Sequence, residues 1–171
     1  MAEKTEDVYF KNIEPYCDAH LRIMIYEFMI EKAYIDSKKG NEILAECVSK
    51  TQMISYLISL LSPTYDDQNL PKDLSERQSK AAKRLGDMKA KFDPIGIILS
   101  SEKFNSLVEI YSTDHDSLLK HCMSCFDLPR NFLSVIYKYA ILLYDTGSYM
   151  DCDAVLNLYA CLIKKDSQSY L

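Results

Sequence analysis

Apolar residues recur at intervals of three and four along most of this chain, the period that gathers side chains on one face of an α-helix. Between Cys17 and Ile35 the face is Leu21, Met24, Ile25 and Phe28. His20 stands at its edge, where a histidine bonded to backbone is commoner than a ligand or a switch. From Asn41 to Val48 the pattern continues with Ile43, Leu44 and Cys47. Ser49-Lys50-Thr51-Gln52 then has the Ser-x-x-Gln form of a capping box and predicts a new helix before Met53. That helix carries Met53, Ile54, Tyr56, Leu57, Ile58, Leu60 and Leu61, apolar nearly all round as befits an element between neighbours, and Pro63 ends it.

The polar stretch from Ser62 to Asn69 predicts a loop, and Pro71 suits the first turn of a helix running to Phe92. The seam of this helix is Leu74, Ala81, Leu85, Met88 and Phe92, which implies an antiparallel partner. Asp93-Pro94 predicts its end, because a residue before proline is disfavoured in helical angles. Phe104, Leu107, Val108 and Tyr111 form one short helical group and Leu118, Leu119 and Met123 another, with a break at Thr113-Asp114. Asp127 and Pro129 cap a helix through Tyr144 whose buried face is Phe132, Ile136, Tyr139, Ala140 and Leu143. Gly147 ends it, and Tyr149 opens a last helix with Cys152, Val155, Leu156, Tyr159 and Ile163 in period.

Four glycines and five prolines in 171 residues leave too few turns for a sandwich or barrel, so the expected class is all-α, organised as a single domain over 1–171. No stretch is long and apolar enough to span a membrane, since Glu27 interrupts 23–30 and Lys138 interrupts 132–144. The acidic start is unlike a secretory signal, which leads to an expected cytoplasmic or nuclear location and to reading the six cysteines as reduced thiols.

A net charge of −5 argues against general affinity for nucleic acid. Charge is unevenly spread, however. Lys72 to Lys91 carries seven basic and three acidic residues, a local +4 that leaves −9 for the rest. Arg77, Lys80, Arg84 and Lys91 share a narrow stripe about 100° from the apolar seam. Beside the reading as a solvated face, this stripe is a candidate contact for an acidic protein surface or ribosomal RNA.

Two clusters have the residue types of chemical sites. His121-Cys122-Met123-Ser124-Cys125, with His115 nearby, offers zinc-ligand types, yet a structural site needs four ligands in separated pairs, and Cys152 and Cys161 lie nine apart on a helix. A helix end bearing two thiols is the preferred reading, and no metal is assigned. Asp114-His115-Asp116-Ser117 has hydrolase-triad types, but helical neighbours point about 100° apart and cannot converge on one atom. A helix N-cap fits better. With no glycine-rich phosphate loop or nucleophile elbow, the chain is expected to be a non-enzyme without a cofactor.

Residues 131–163 have a tetratricopeptide-like skeleton: Tyr137-Lys138-Tyr139-Ala140, then Tyr144, then Gly147-Ser148-Tyr149 and Cys152. Ala140 permits close helix approach, Gly147 supplies a left-handed turn, and tyrosines fill the groove. Together with Asp18-Ala19-His20-Leu21, Glu27-Phe28-Met29, Ser49 to Met53, Pro71, Ala90 to Ile95 and Lys120-His121, this order of residues resembles the e-subunit family of eukaryotic translation initiation factor 3 over about residues 10–165. Cys152, where a smaller residue is expected, and a longer stretch from Cys122 to Arg130 depart from the pattern.

The resemblance implies a right-handed helical-repeat array of antiparallel helix pairs, tetratricopeptide-like and associated with a PCI domain and winged helix that would lie beyond this chain. It also implies a scaffold that contacts sister subunits, d, c and l among them, and meets the small ribosomal subunit indirectly. Proteasome-lid and signalosome subunits share this architecture and stand as the alternative. An RNA-binding helical module using the stripe at 77–91 is a third reading, weakened by the lack of aromatic residues among its charges.

Overall fold

The computed structural model describes residues 12–62 and 71–163, with Lys72 described in its backbone only. Among these residues the chain is all-α, with eight α-helices, one short 3-10 turn at Glu14–Tyr16 and no strand. The helices are α1 (Ala19–Glu31), α2 (Ser37–Ser49), α3 (Ile54–Leu61), α4 (Lys72–Leu99), α5 (Glu102–Ile110), α6 (His115–Cys125), α7 (Phe132–Asp145) and α8 (Tyr149–Leu162). α1 to α3 and α4 up to Ala82 form one compact unit with Asp145–Gly147, and α4 from Lys83, α5, α6, α7 to Tyr144 and α8 form the other.

In the first unit α2 packs against both α1 and α3. Asp18 starts α1 by accepting the Leu21 N–H at 2.7 Å, and Asp36 starts α2 by accepting from Lys38 and Lys39, which satisfies amide donors that no helical turn can reach. The core gathers Ile23, Tyr26, Met29, Leu44, Val48, Ile54 and Leu57, joined by Leu74 from the start of α4. Here the first expectation is corrected. Leu21, Met24 and Phe28 are 47, 55 and 50% exposed, and α1 buries His20, Ile23, Tyr26 and Met29 instead. Because α1 is apolar around most of its circumference, period alone does not select which stripe faces inward.

The capping box at Ser49 to Gln52 does not form. Ser49 still belongs to α2, and its hydroxyl donates back to the Glu46 carbonyl. Thr51 bridges the turn instead: its hydroxyl donates to the Val48 carbonyl at 2.8 Å and accepts the Met53 N–H at 3.1 Å, so α3 begins at Ile54 without a side-chain cap. Pro63 and most of the predicted loop lie outside the described residues.

The second correction concerns α4. The expected stop at Asp93-Pro94 is absent, and the helix runs through Pro94 to Leu99. A proline inside a helix costs about 3 kcal/mol. Against that, Ile95 and Leu99 are 1% and 0% exposed in the core of the second unit, each contributing roughly 2 kcal/mol by burial. Ile95 and Leu99 prolong the spacing of Met88 and Phe92 by three and four, so the tertiary contact continues the seam past the proline.

The second unit builds its core from Ile95, Leu99, Phe104, Leu118, Cys122, Phe132, Ile136, Ala140 and Leu143, with Leu85, Met88 and Phe92 packed at its edge. The break expected at Thr113-Asp114 is present, and Asp114 caps α6 by accepting the Ser117 N–H at 3.0 Å. The predicted inward face of α7 is buried at all five positions. In α8, Cys152 and Val155 are buried, but Leu156 is 40% exposed and so departs from the predicted face. The α7–α8 turn ends α7 with Gly147 at φ +82°, and the Ser148 N–H donates to the Leu143 carbonyl at 2.8 Å, the six-to-one bond of a glycine-closed helix end.

Candidate functional site

Within the second unit α4, α7 and α8 enclose an open groove of 610 Å³. Phe92, Ile97, Tyr139, Leu143, Val155 and Leu158 give it apolar walls, and Gly96 and Ala154 keep parts of them low. Phe92 stacks on Tyr139 with ring centroids 4.6 Å apart. Gly96 makes that arrangement possible, since a Cβ there would lie 2.9 Å from the Phe92 ring.

The polar groups of the groove are sparse. Lys89 Nζ binds both oxygens of Asp93, at 2.7 and 2.8 Å, and this hydrogen bond holds the Lys89 pKa above its ordinary value. Burial, more than the neighbouring charges, pushes the Tyr139 phenol up. Asp151, in the first turn of α8, is exposed and pairs with no cation among the described residues. Concave, largely apolar and carrying one carboxylate unshared among the described residues, the site has the make-up of a binding groove.

The sequence points to Tyr139, Leu143 and Val155 as core but not to this groove. Its α4 wall beyond Phe92 is hidden by the expectation that Asp93-Pro94 ends the helix. The available signal is Ile95 and Leu99, which keep the seam's spacing beyond Pro94.

The basic stripe is distributed over different tasks. Arg77 is half-buried and donates to the Ser49 carbonyl at 3.0 Å, satisfying an orphan acceptor at the end of α2. Lys80 pairs with Glu76 one turn earlier, at 2.6 Å between exposed side chains. These two belong to the first unit, whereas Arg84 and Lys91 belong to the second, where both are exposed.

Of the hairpin residues, Ala140 and Cys152 are buried at 1% and 6% exposure, and Tyr144 meets Tyr149 edge to face at 5.7 Å. Tyr137 is 47% exposed and leans on Tyr159 at 5.6 Å, so it borders the helix groove without filling it.

The histidine and cysteine types of α6 do not converge. His115 Nδ1 lies 3.0 Å from the Cys161 carbonyl, His121 Nδ1 lies 3.4 Å from the Tyr111 hydroxyl, Cys122 is buried in the core and Cys125 is exposed. Among the described residues no three His, Cys, Asp or Glu side chains are grouped to hold a metal ion. His20 is buried at 6% exposure on α1.

The family model described as "eIF3 subunit 6 N terminal domain" matches residues 9–142. The chain belongs to this family. Proteins named as the E subunit of eukaryotic translation initiation factor 3 are similar over nearly all of it: 25% identity over 161 residues in Brugia malayi, 23% over 164 in Caenorhabditis elegans and 26% over 157 in Culex quinquefasciatus. These alignments cover 94%, 94% and 92% of the chain but 36%, 37% and 34% of the respective relatives, so the chain spans about a third of their length. The all-helical fold of the described residues agrees with that membership.

Proposed function

We propose that this chain is a non-catalytic scaffold segment of translation initiation factor 3, which contacts sister subunits through its helical surfaces during initiation. The family match over residues 9–142 carries this reading. The open apolar groove of the second unit, built as a binding surface, supports it as well. Subunits d, c and l are the proposed partners, the small ribosomal subunit is met indirectly, and the place of action is the cytoplasm. The whole subunit would carry a PCI domain C-terminal to this segment. The threefold greater length of the relatives supports that part of the reading.

Arg84 and Lys91, seven residues and two turns apart on one face of α4, offer cations to an acidic surface on such a partner. Purification of the tagged chain from cell extract tests the scaffold reading. Enrichment of other initiation factor 3 subunits is expected, and enrichment of proteasome-lid or signalosome subunits in their place would overturn it. Arg84→Glu with Lys91→Glu should reduce that yield at physiological salt, and an unchanged yield at low salt would remove the two cations from the interface.

A further inference from the structure

We infer that the groove of the second unit binds an amphipathic helix of a partner protein, one that inserts apolar side chains between α4 and α8 and sets a lysine or arginine against Asp151. The inference rests on the reading of this chain as a protein-binding segment and specifies the chemistry of what it binds.

Three observations lead to this occupant. First, Phe92, Ile97, Val155 and Leu158 present apolar surface along an open concavity of 610 Å³. Ile97 is 74% exposed on its rim, which leaves its side chain open to a ligand. Second, the groove is built from helices alone, with no strand edge among the described residues to pair with an extended peptide. A helix brings its backbone hydrogen bonds already made, so its apolar face can be buried in such a groove with no amide left unmet.

Third, the charges select the sign of the partner. Lys89 is held by both oxygens of Asp93, so the ion pair presents no net charge to a ligand. Among the described residues Asp151 is left as the unshared group, a carboxylate that repels phosphate and acidic peptides and attracts a cation. Nucleic acid is therefore disfavoured at this place. A helix with its apolar anchors one turn from a basic residue matches both features, because positions three or four apart lie on one face.

The test uses the full chain and two fluorescein-labelled Ala/Gln helices of about 18 residues, long enough to hold helical structure in water. Both carry two leucines one turn apart. One has lysine a turn beyond them and the other has glutamate there. The lysine peptide should bind about tenfold more tightly than the glutamate peptide by fluorescence anisotropy. Asp151→Lys should reverse that preference. Ala154→Trp, which places a large ring in the groove from an exposed helix position, should abolish binding of both while leaving the far-UV spectrum and the melting temperature in place.

Equal affinity for the two peptides, or binding indifferent to Ala154→Trp, would overturn the inference. So would absence of binding by the wild-type chain, or a concentration-dependent dimer that Ala154→Trp dissolves, since a second copy would then be the occupant. Recovery of initiation-factor subunits by the wild-type and the Ala154→Trp chains alike would remove the groove and keep the scaffold reading. Peptide binding without recovery of those subunits would do the reverse.

Discussion

Phe92 and Tyr139 stack with their ring planes 29° apart and their centroids at 4.6 Å, joining the middle of α4 to α7 beside the groove. Offset aromatic pairs contribute beyond their buried area, and the loss of a large ring leaves a void. Phe92→Ala should therefore lower stability by about 2–4 kcal/mol. Gly96→Ala should also destabilise, although alanine is the better helix former, because its methyl would displace the Phe92 ring. Thermal melts followed by circular dichroism measure both, and a rise in melting temperature for Gly96→Ala would refute the packing argument.

The register of α1 gives a second prediction. Ile23 is 1% exposed and its neighbour Met24 is 55% exposed. Ile23→Ala should cost about 2–4 kcal/mol, and Met24→Ala no more than about 0.5 kcal/mol. Urea denaturation of the two variants decides between this register and the one that period alone suggests, in which Met24 would be the costly position.

Among the described residues two helix ends close with a left-handed residue, one of them glycine and the other not. Gly147 has φ +82° and Ala33 has φ +56°, and at Ala33 the Tyr34 N–H donates to the Met29 carbonyl at 2.9 Å. A side chain in that conformation costs roughly 1–2 kcal/mol. Ala33→Gly should thus raise the melting temperature. Gly147→Ala should lower it, the more so because a Cβ there would meet the Met53 methyl at 2.8 Å.

Acid should weaken the start of α6. The hydrogen bond from the Ser117 hydroxyl, followed by that from its N–H, holds the Asp114 carboxyl below its ordinary pKa. A carboxyl depressed in the folded state lends stability that is fully present above its unfolded value and is lost as pH falls through the folded one. Helicity of α6 should decline across the acidic side of the carboxylate range. Asp114→Asn should flatten that part of the stability profile, as a pH series of thermal melts would register.

Thiol reactivity should divide by position. Burial pushes the Cys47, Cys122 and Cys152 thiols up, which leaves little thiolate, whereas Cys125 is exposed. In the native protein an alkylating reagent should modify Cys125 well before those three, and they should become reactive only on unfolding. Mass spectrometry of a labelling time course reads the order directly.

The site was less legible in the sequence than the fold, and particular residues explain the difference. Arg77 looks like a surface cation until the end of α2 is found beside it. Asp151 looks like an ordinary first-turn acid until the groove beneath it is seen. In each case the function of the charge is set by a neighbour distant in sequence, and helical period carries no record of such neighbours.

The order of residues by itself determined that the chain is helical, that it breaks at Thr113-Asp114 and at Gly147, and that Phe132, Ile136, Tyr139, Ala140 and Leu143 share a buried face. Those features follow from local geometry, from capping and from the left-handed turn that glycine tolerates. Tertiary packing alone decided which stripe of the nearly all-apolar α1 turns inward, and that α4 continues through Pro94 to bring Ile95 and Leu99 into a core. Period states which side chains lie together, but the helices packed against them decide which side loses its water.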